Sequence, residues 1–304
     1  MTRLLRVPLV ALALLLLLNG CSYQSGPSST NRTENIVNNN LSVGQFKNIN
    51  APEISQKGQM TKKESPPQRV ETPPEEVQAS TPELSAFPAE GIPVLMYHSI
   101  SYIPGNNLGV PVTQFAEEIE WLKSHNYSTL SLEDFYQALV HQKSVPQKPI
   151  LITFDDGYID NYQAAWPILR ENDFRATFFI ITSSVGSGMM SWEQIHELAD
   201  QGNSIASHTV THPDLSTLSS KQLETELAQS KKDLESNIGK SVDALCFPSG
   251  SYNDKTLEIM LHLGYKLGFT TKSGKVHLGD NPLTLKRIRI PGGMSLTAFK
   301  NLFP

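Results

Sequence analysis

Residues 150–161 read ILITFDDGYIDN. Ile150, Leu151, Ile152 and Phe154 make the continuous apolar, β-branched run of a strand buried on both faces. The run stops abruptly at two adjacent carboxylates, Asp155 and Asp156, followed by Gly157. Taken alone, Asp-Gly is ordinary turn chemistry at a strand exit. Successive residues of an extended segment point to opposite sides, so the two acids are expected to play different parts. Their meaning depends on what the rest of the chain brings to the same place.

Outward from this stretch the chain alternates. Apolar strand-like runs occur at PVLMY (93–97), ATFFII (176–181), NSIAS (203–207), DALCF (243–247), KLGFTT (266–271) and RIRI (287–290), with a weaker one at YSTL (127–130). Helical patterns fall between them at 113–125, 132–142, 159–171, 191–201, 219–238 and 253–263. The clearest carries Leu223, Leu227, Leu234 and Ile238 as one apolar stripe, with Ser before its first turn and Gly239 closing it. Strands too apolar to face water, alternating with helices, predict a parallel sheet covered by helices. The expected fold is an α/β, irregular (β/α) barrel of seven or eight parallel strands, running from about residue 91 to 304. No internal repeat is visible.

The chain has 304 residues, 25 Lys plus Arg against 30 Asp plus Glu, and a net charge of −5. This mild acidity argues against nucleic acid as a partner, which would call for a basic face. Residues 1–21 hold two arginines, an apolar run from Val7 to Leu18 and small or polar residues before Cys21. That run falls short of the roughly 20 residues that span a bilayer, so it reads as an export signal. Its ending, Leu18-Asn19-Gly20-Cys21, resembles a bacterial lipobox, which implies a lipid on Cys21 that tethers the exported protein to a membrane. Ordinary secretion with Cys21 incidental is the alternative. Residues 22–90 are rich in Ser, Asn, Gln, Thr, Pro and Glu and read as a disordered linker. As a flexible coil its ends would lie roughly 45 Å apart. Cys246, in the apolar stretch ALCF, reads as a small buried hydrophobe, and no disulfide framework is available to hold the fold.

In a (β/α) barrel, chemistry gathers at the C-terminal ends of the strands. Those ends carry His98 after PVLMY, Asp155 and Asp156 after ILITF, His208 and then His212 after NSIAS, and Pro248-Ser249-Gly250 after DALCF. His208 and His212 are four apart, a spacing that sets two imidazoles on one side of a helical turn. With one strand-end carboxylate they make the two-His-one-carboxylate set of an open metal site.

TFDDG followed by HTVTH resembles the NodB-type polysaccharide deacetylases, carbohydrate esterase family 4, over nearly all of residues 92–304. The resemblance implies that Asp155 is the general base and that Asp156, His208 and His212 bind the metal, usually zinc (Zn2+). It implies hydrolysis of N-acetyl groups on an exported polysaccharide containing N-acetylglucosamine, with Pro248, Ser249, Gly250 and Tyr252 beside the substrate and the oxyanion. Three departures stand out. LCFPSGSYN lacks the Arg that usually precedes the third motif, GYKLGFTTKSG lacks the Asp and Trp of the fourth, and the stretch around RIRIPGG lacks the fifth motif's His. LMYHSI, carrying His98, is similar to the branch acting on poly-β-1,6-N-acetylglucosamine, where an early His serves as acid; His277 is the competing candidate. Arg287 or Arg289 is expected to replace the missing Arg beside Asp155. The other histidines, His125, His141, His196 and His262, are read as structural. A glycosidase needs two carboxylates flanking a bond, which adjacent acids do not provide. An iron oxygenase shares the ligand set. The alternative kept open is an impaired, deacetylase-like module that binds glycan.

Overall fold

The computed structural model describes residues 83–303. The expected signal segment, the lipid on Cys21 and the linker up to residue 82 lie outside the described residues. Seven parallel strands close into a barrel: β1 (Val94–Tyr97), β2 (Pro149–Phe154), β3 (Thr177–Ile180), β4 (Ser204–Ser207), β5 (Ala244–Cys246), β6 (Leu267–Ser273) and β7 (Leu285–Arg289). Each pairs with its neighbours in chain order, and β1 closes the ring between β7 and β2. YSTL does not become an eighth stave. Only Ser128–Thr129 is extended, and it pairs with Pro149 and Ile150, below the point where β1 takes up β2 at Leu151.

The expected helices form with small shifts of boundary: α1 (Val112–Ser124), α2 (Leu132–His141), α3 (Trp166–Glu171), α4 (Trp192–Asp200), α5 (Ser220–Ile238) and α6 (Asp254–His262). Local chemistry fixes their ends. Ser219 and Gln222 form a reciprocal capping box on α5, and Gly239 closes that helix with φ +66°. The largest departure lies ahead of α3, where Asn161–Ala165 is a turn of π-helix. Such bulges recur at functional sites. A short α7 (Leu296–Lys300), capped by Ser295, follows the last strand. Structure packed on the barrel is also present before residue 91: Leu84–Ser85 pairs antiparallel with Val145–Pro146, and Phe87 packs on the core. Backbone pairing thus reaches into the segment expected to be linker.

Side-chain alternation on β2 sorts the core. Ile150, Ile152 and Phe154 face the helices, in one cluster with Phe115, Leu169 and Phe178. Leu151 joins a second cluster with Val94, Phe179, Cys246, Phe269 and Leu285, to which α2 adds Phe135 and Leu139. Thr153 and Asp155 continue the Leu151 row, so the strand that reads as apolar ends with its acid inside the barrel.

One buried acid belongs to the helix layer. Glu118 on α1 accepts hydrogen bonds from Tyr97 Oη (2.8 Å) and Gln114 Nε2 (2.9 Å). Burial outweighs these bonds and raises its pKa from 4.5 to about 7. A folded-state pKa above the unfolded one means that the native chain holds the extra proton between these values, so stability falls as pH rises through that window. The term amounts to roughly 3 kcal/mol at about 1.4 kcal/mol per unit. Glu118→Gln should therefore lose less stability than wild type between pH 5 and pH 8, read as the difference in urea midpoints. An unchanged pH dependence would place the proton elsewhere.

Candidate active site

The strand ends converge on a cavity of about 530 Å³ lined by Met96, His98, Leu108, Asp155, Asp156, His208, His212, Phe247, Ser249, Thr271 and Arg289. Asp156 does not simply alternate away from Asp155. It sits at φ +73°, followed by Gly157 at φ +84°, and this left-handed turn brings both carboxylates to the cavity. The turn reading of Asp-Gly and the chemical reading are therefore both true. The two acids meet different partners.

Asp155 is 3 % exposed and Arg287 is fully buried. Arg287 grips the carboxylate with both ends of its fork, Nη1 to Oδ1 at 2.7 Å and Nη2 to Oδ2 at 2.8 Å. The guanidinium is itself fixed by donating to Thr270 O (3.0 Å), Thr153 Oγ1 (3.1 Å) and Cys246 Sγ (3.0 Å). Burial alone would raise the Asp155 pKa, but the charge and hydrogen bonds of Arg287 prevail and hold it well below the usual carboxylate range. Of the two arginines expected beside Asp155, Arg287 is the one. Arg289, one pleat farther up the strand, is exposed and donates to Asn107 Oδ1 (2.9 Å).

Asp156, His208 and His212 form a donor cluster. Asp156 Oδ1 lies 3.4 Å from His208 Nε2 and 3.7 Å from His212 Nε2, and one donor atom of each residue falls within 4.8 Å of the others. His208 Nδ1 lies 2.8 Å from Cys246 O, so one proton belongs on Nδ1, and Nε2 faces Asp156; although burial opposes it, the Cys246 and Asp156 partners raise the pKa of this ring. The spacing of the two histidines works differently from expectation. Residues 208–212 are not helical; Thr209 (φ +67°) and His212 (φ +59°) adopt left-handed backbone, and the loop folds the two rings to 4.7 Å between centroids. One carboxylate and two imidazole nitrogens around a partly open cavity are a donor set that suits zinc or a similar divalent cation.

His98 joins the cavity from the end of β1, with Nε2 3.9 Å from Asp155 Oδ2. Burial lowers its pKa, against the pull of the Asp155 and Asp156 carboxylates. His277 lies elsewhere. It follows Val276, which pairs with Ile92 ahead of β1, so it stands at the opposite end of that strand from His98. Among Pro248, Ser249, Gly250 and Tyr252, only Ser249 lines the cavity. The N–H groups of Gly250 and Ser251 are taken by Phe247 O and Pro248 O, while that of Ser249 (φ +54°) has no such partner. Tyr252 stacks on Phe247 at 4.7 Å, and its hydroxyl accepts from Lys272 Nζ at 2.9 Å.

Several supporting residues escape a reading of the sequence. Asn161 donates to His98 O (2.7 Å), and Asp160 accepts from Ser99 Oγ (2.6 Å) and Ile100 N (2.9 Å), so the end of the DDGYIDN stretch fastens the segment that carries His98. Cys246 is buried as expected, yet its thiol touches Arg287 and its carbonyl orients His208. The only sequence signal for these roles is proximity to the motifs.

A parallel barrel whose polar side chains meet at one end, with a donor cluster beside a separately held carboxylate, has the layout of a metal-assisted hydrolase. The chain belongs to the polysaccharide deacetylase family. The family's sequence model, described as Polysaccharide deacetylase, matches residues 142–268. A Bacillus subtilis (strain 168) protein named for polysaccharide deacetylase, YxkH, is 39% identical over 209 residues, which cover 68% of this chain and 74% of that protein. The poly-β-1,6-N-acetyl-D-glucosamine N-deacetylase of Staphylococcus aureus (strain MRSA252) is 31% identical over 201 residues, 60% of this chain and 68% of its own. Among solved structures, Streptococcus pyogenes deacetylase PplD in complex with acetate superposes with a TM-score of 0.67 at 35% identity, covering 74% of this chain and all of that one.

Proposed function

We propose that this chain is a metal-dependent N-deacetylase that removes acetyl groups from an exported polysaccharide containing N-acetylglucosamine, tethered outside the cytoplasm by a lipid on Cys21. The observation that carries the reading is the pairing of two separately held acids in one cavity: Asp156 with the two imidazoles, and Asp155 with Arg287. The missing residues of the third to fifth motifs point toward an impaired module. Arg287 supplies a guanidinium at Asp155 from another strand, which favours an enzyme.

Asp156, His208 and His212 would hold the cation. When bound, zinc there supplies a Lewis acid that acidifies water and polarises the acyl oxygen. Asp155, kept ionised by Arg287, accepts the proton of the water that attacks the acetyl carbon. Its fixed carboxylate spends no motion on alignment. The Ser249 N–H donates to the oxygen on which negative charge develops. His98, as imidazolium, hands its proton to the departing sugar amine; burial disfavours that charged form, and the Asp155 and Asp156 carboxylates beside it favour it. Acetate and a glucosamine unit leave, and acetate is the ligand named with the S. pyogenes structure.

Acetate release and new free amine should be measured on poly-β-1,6-N-acetylglucosamine, peptidoglycan and chitin oligomers. Turnover on at least one of them should vanish on chelation and return with Zn2+. A zinc-loaded chain that releases acetate from none would remove the proposal in favour of glycan binding alone. His98→Ala should lower turnover by about 10²–10⁴-fold, the usual range for a general acid, at unchanged zinc content. A parallel loss of zinc would remove His98 from the role of acid.

A further inference from the structure

The loop from His208 to His212 holds an unfavourable shape, with Thr209 and His212 both in left-handed backbone that L side chains adopt rarely. What holds it can be traced N–H by N–H. His208 N donates to Ile180 O (2.9 Å), Thr209 N to Ser207 Oγ (3.1 Å) and His212 N to Thr209 Oγ1 (2.9 Å). The two N–H groups between the histidines, those of Val210 and Thr211, both donate to Glu226 Oε2 at 2.9 Å. Thr211 Oγ1 donates to Glu226 Oε1 at 2.7 Å. Glu226 projects from α5. One turn farther along, Ser230 meets Ser207 Oγ at 2.7 Å, so the same helix edge also supports the residue preceding His208. Among the described residues no ion pair competes for the Glu226 carboxylate. The two imidazoles differ in what else anchors them. His208 is fixed at the end of β4 and by Cys246 O, whereas His212 is placed through the loop, whose Thr209 and Val210 carbonyls also accept from Thr182 N (3.2 Å) and Ser183 N (3.0 Å).

We propose that Glu226 is a positioning residue of the metal site: by taking three hydrogen bonds from the Val210–Thr211 segment, its carboxylate sets His212 opposite His208 and Asp156. The inference rests on the metal-dependent reading above and adds that the helix face beside the Leu223–Leu227–Leu234 stripe governs metal affinity. Without Glu226 the freed N–H groups turn to water, and the loop keeps the bonds of Thr182 N to Thr209 O, Ser183 N to Val210 O and His212 N to Thr209 Oγ1, which hold the spacing of the imidazoles less tightly.

The test is zinc affinity of the full chain, measured by competition with a chromogenic chelator, for wild type, Glu226→Ala, Glu226→Gln and Lys231→Ala. Lys231 lies on the same helix and pairs with Asp243 and Glu235, away from the loop. Glu226→Ala should weaken zinc binding by about 10–100-fold, as loss of an outer partner of a metal ligand does. Glu226→Gln keeps one oxygen acceptor and should fall between Ala and wild type, which also covers the case of an Ala variant that fails to fold. Lys231→Ala should bind like wild type, and at saturating zinc the Glu226 variants should regain most of their acetate release. Wild-type affinity in both Glu226 variants, or an equal loss in Lys231→Ala, overturns the inference while leaving the function intact. A wild-type chain that binds no zinc overturns both.

Discussion

Asp155→Asn should retain zinc and lose about 10²–10⁴-fold in turnover, while Asp156→Asn should lose zinc. An amide is isosteric with the carboxylate but cannot accept the proton of the attacking water. It still offers one oxygen to the fork of Arg287, so much of the local geometry should survive. At position 156 the same exchange removes the charged member of a three-donor cluster. Its cost in affinity should exceed the roughly 10–100-fold that loss of an outer partner brings. Metal analysis of the purified variants, read beside acetate release, separates the two acids. Should Asp155→Asn strip the metal and Asp156→Asn keep it, the roles are exchanged.

The second large effect concerns Arg287. Arg287→Met leaves the Asp155 carboxylate buried without its countercharge, a change that costs about 3–5 kcal/mol. For a domain of this size that is a fall of roughly 10 °C in melting temperature. Arg287→Lys keeps the charge but not the two-pronged contact or the bonds to Thr153 and Cys246, so it should recover only part. The double variant Arg287→Met with Asp155→Asn removes both charges and should be more stable than Arg287→Met alone. A cycle without coupling would mean that the pair contributes nothing to the fold. The sign with pH follows from the depressed pKa of Asp155. Its contribution is complete above the ordinary carboxylate range and is lost progressively as pH falls from that range through the much lower folded value. Wild type should therefore lose more of its advantage over the double variant in strong acid than at neutrality.

These effects mark where the chain is readable in one dimension. ILITFDDG and the other strand ends announce themselves because burial on both faces leaves a local signature, and the barrel follows from strand-helix alternation. The partner of Asp155 does not announce itself. Arg287 and Arg289 share a side of β7, and only register decides their height: Leu95 pairs with Ile288 on one flank and with Ile152 on the other. That stagger sets Arg287 below Asp155, within reach of it, and Arg289 above at the rim. Glu226 is hidden for a different reason. Its neighbours on α5 form a packing stripe, and nothing local says that the adjoining edge faces a loop fifteen residues earlier. Tyr252, placed beside the substrate by its motif position, does not line the cavity itself and stacks on Phe247, which does.

The grip of Arg287 on Asp155 spans 132 residues and joins the second stave to the last. A fragment ending between His212 and β7 carries both signature motifs, TFDDG and HTVTH, yet has no guanidinium to steady its proton acceptor. Competence therefore arrives late, as a property of the finished ring: truncation that removes the last stave would silence chemistry written well before it.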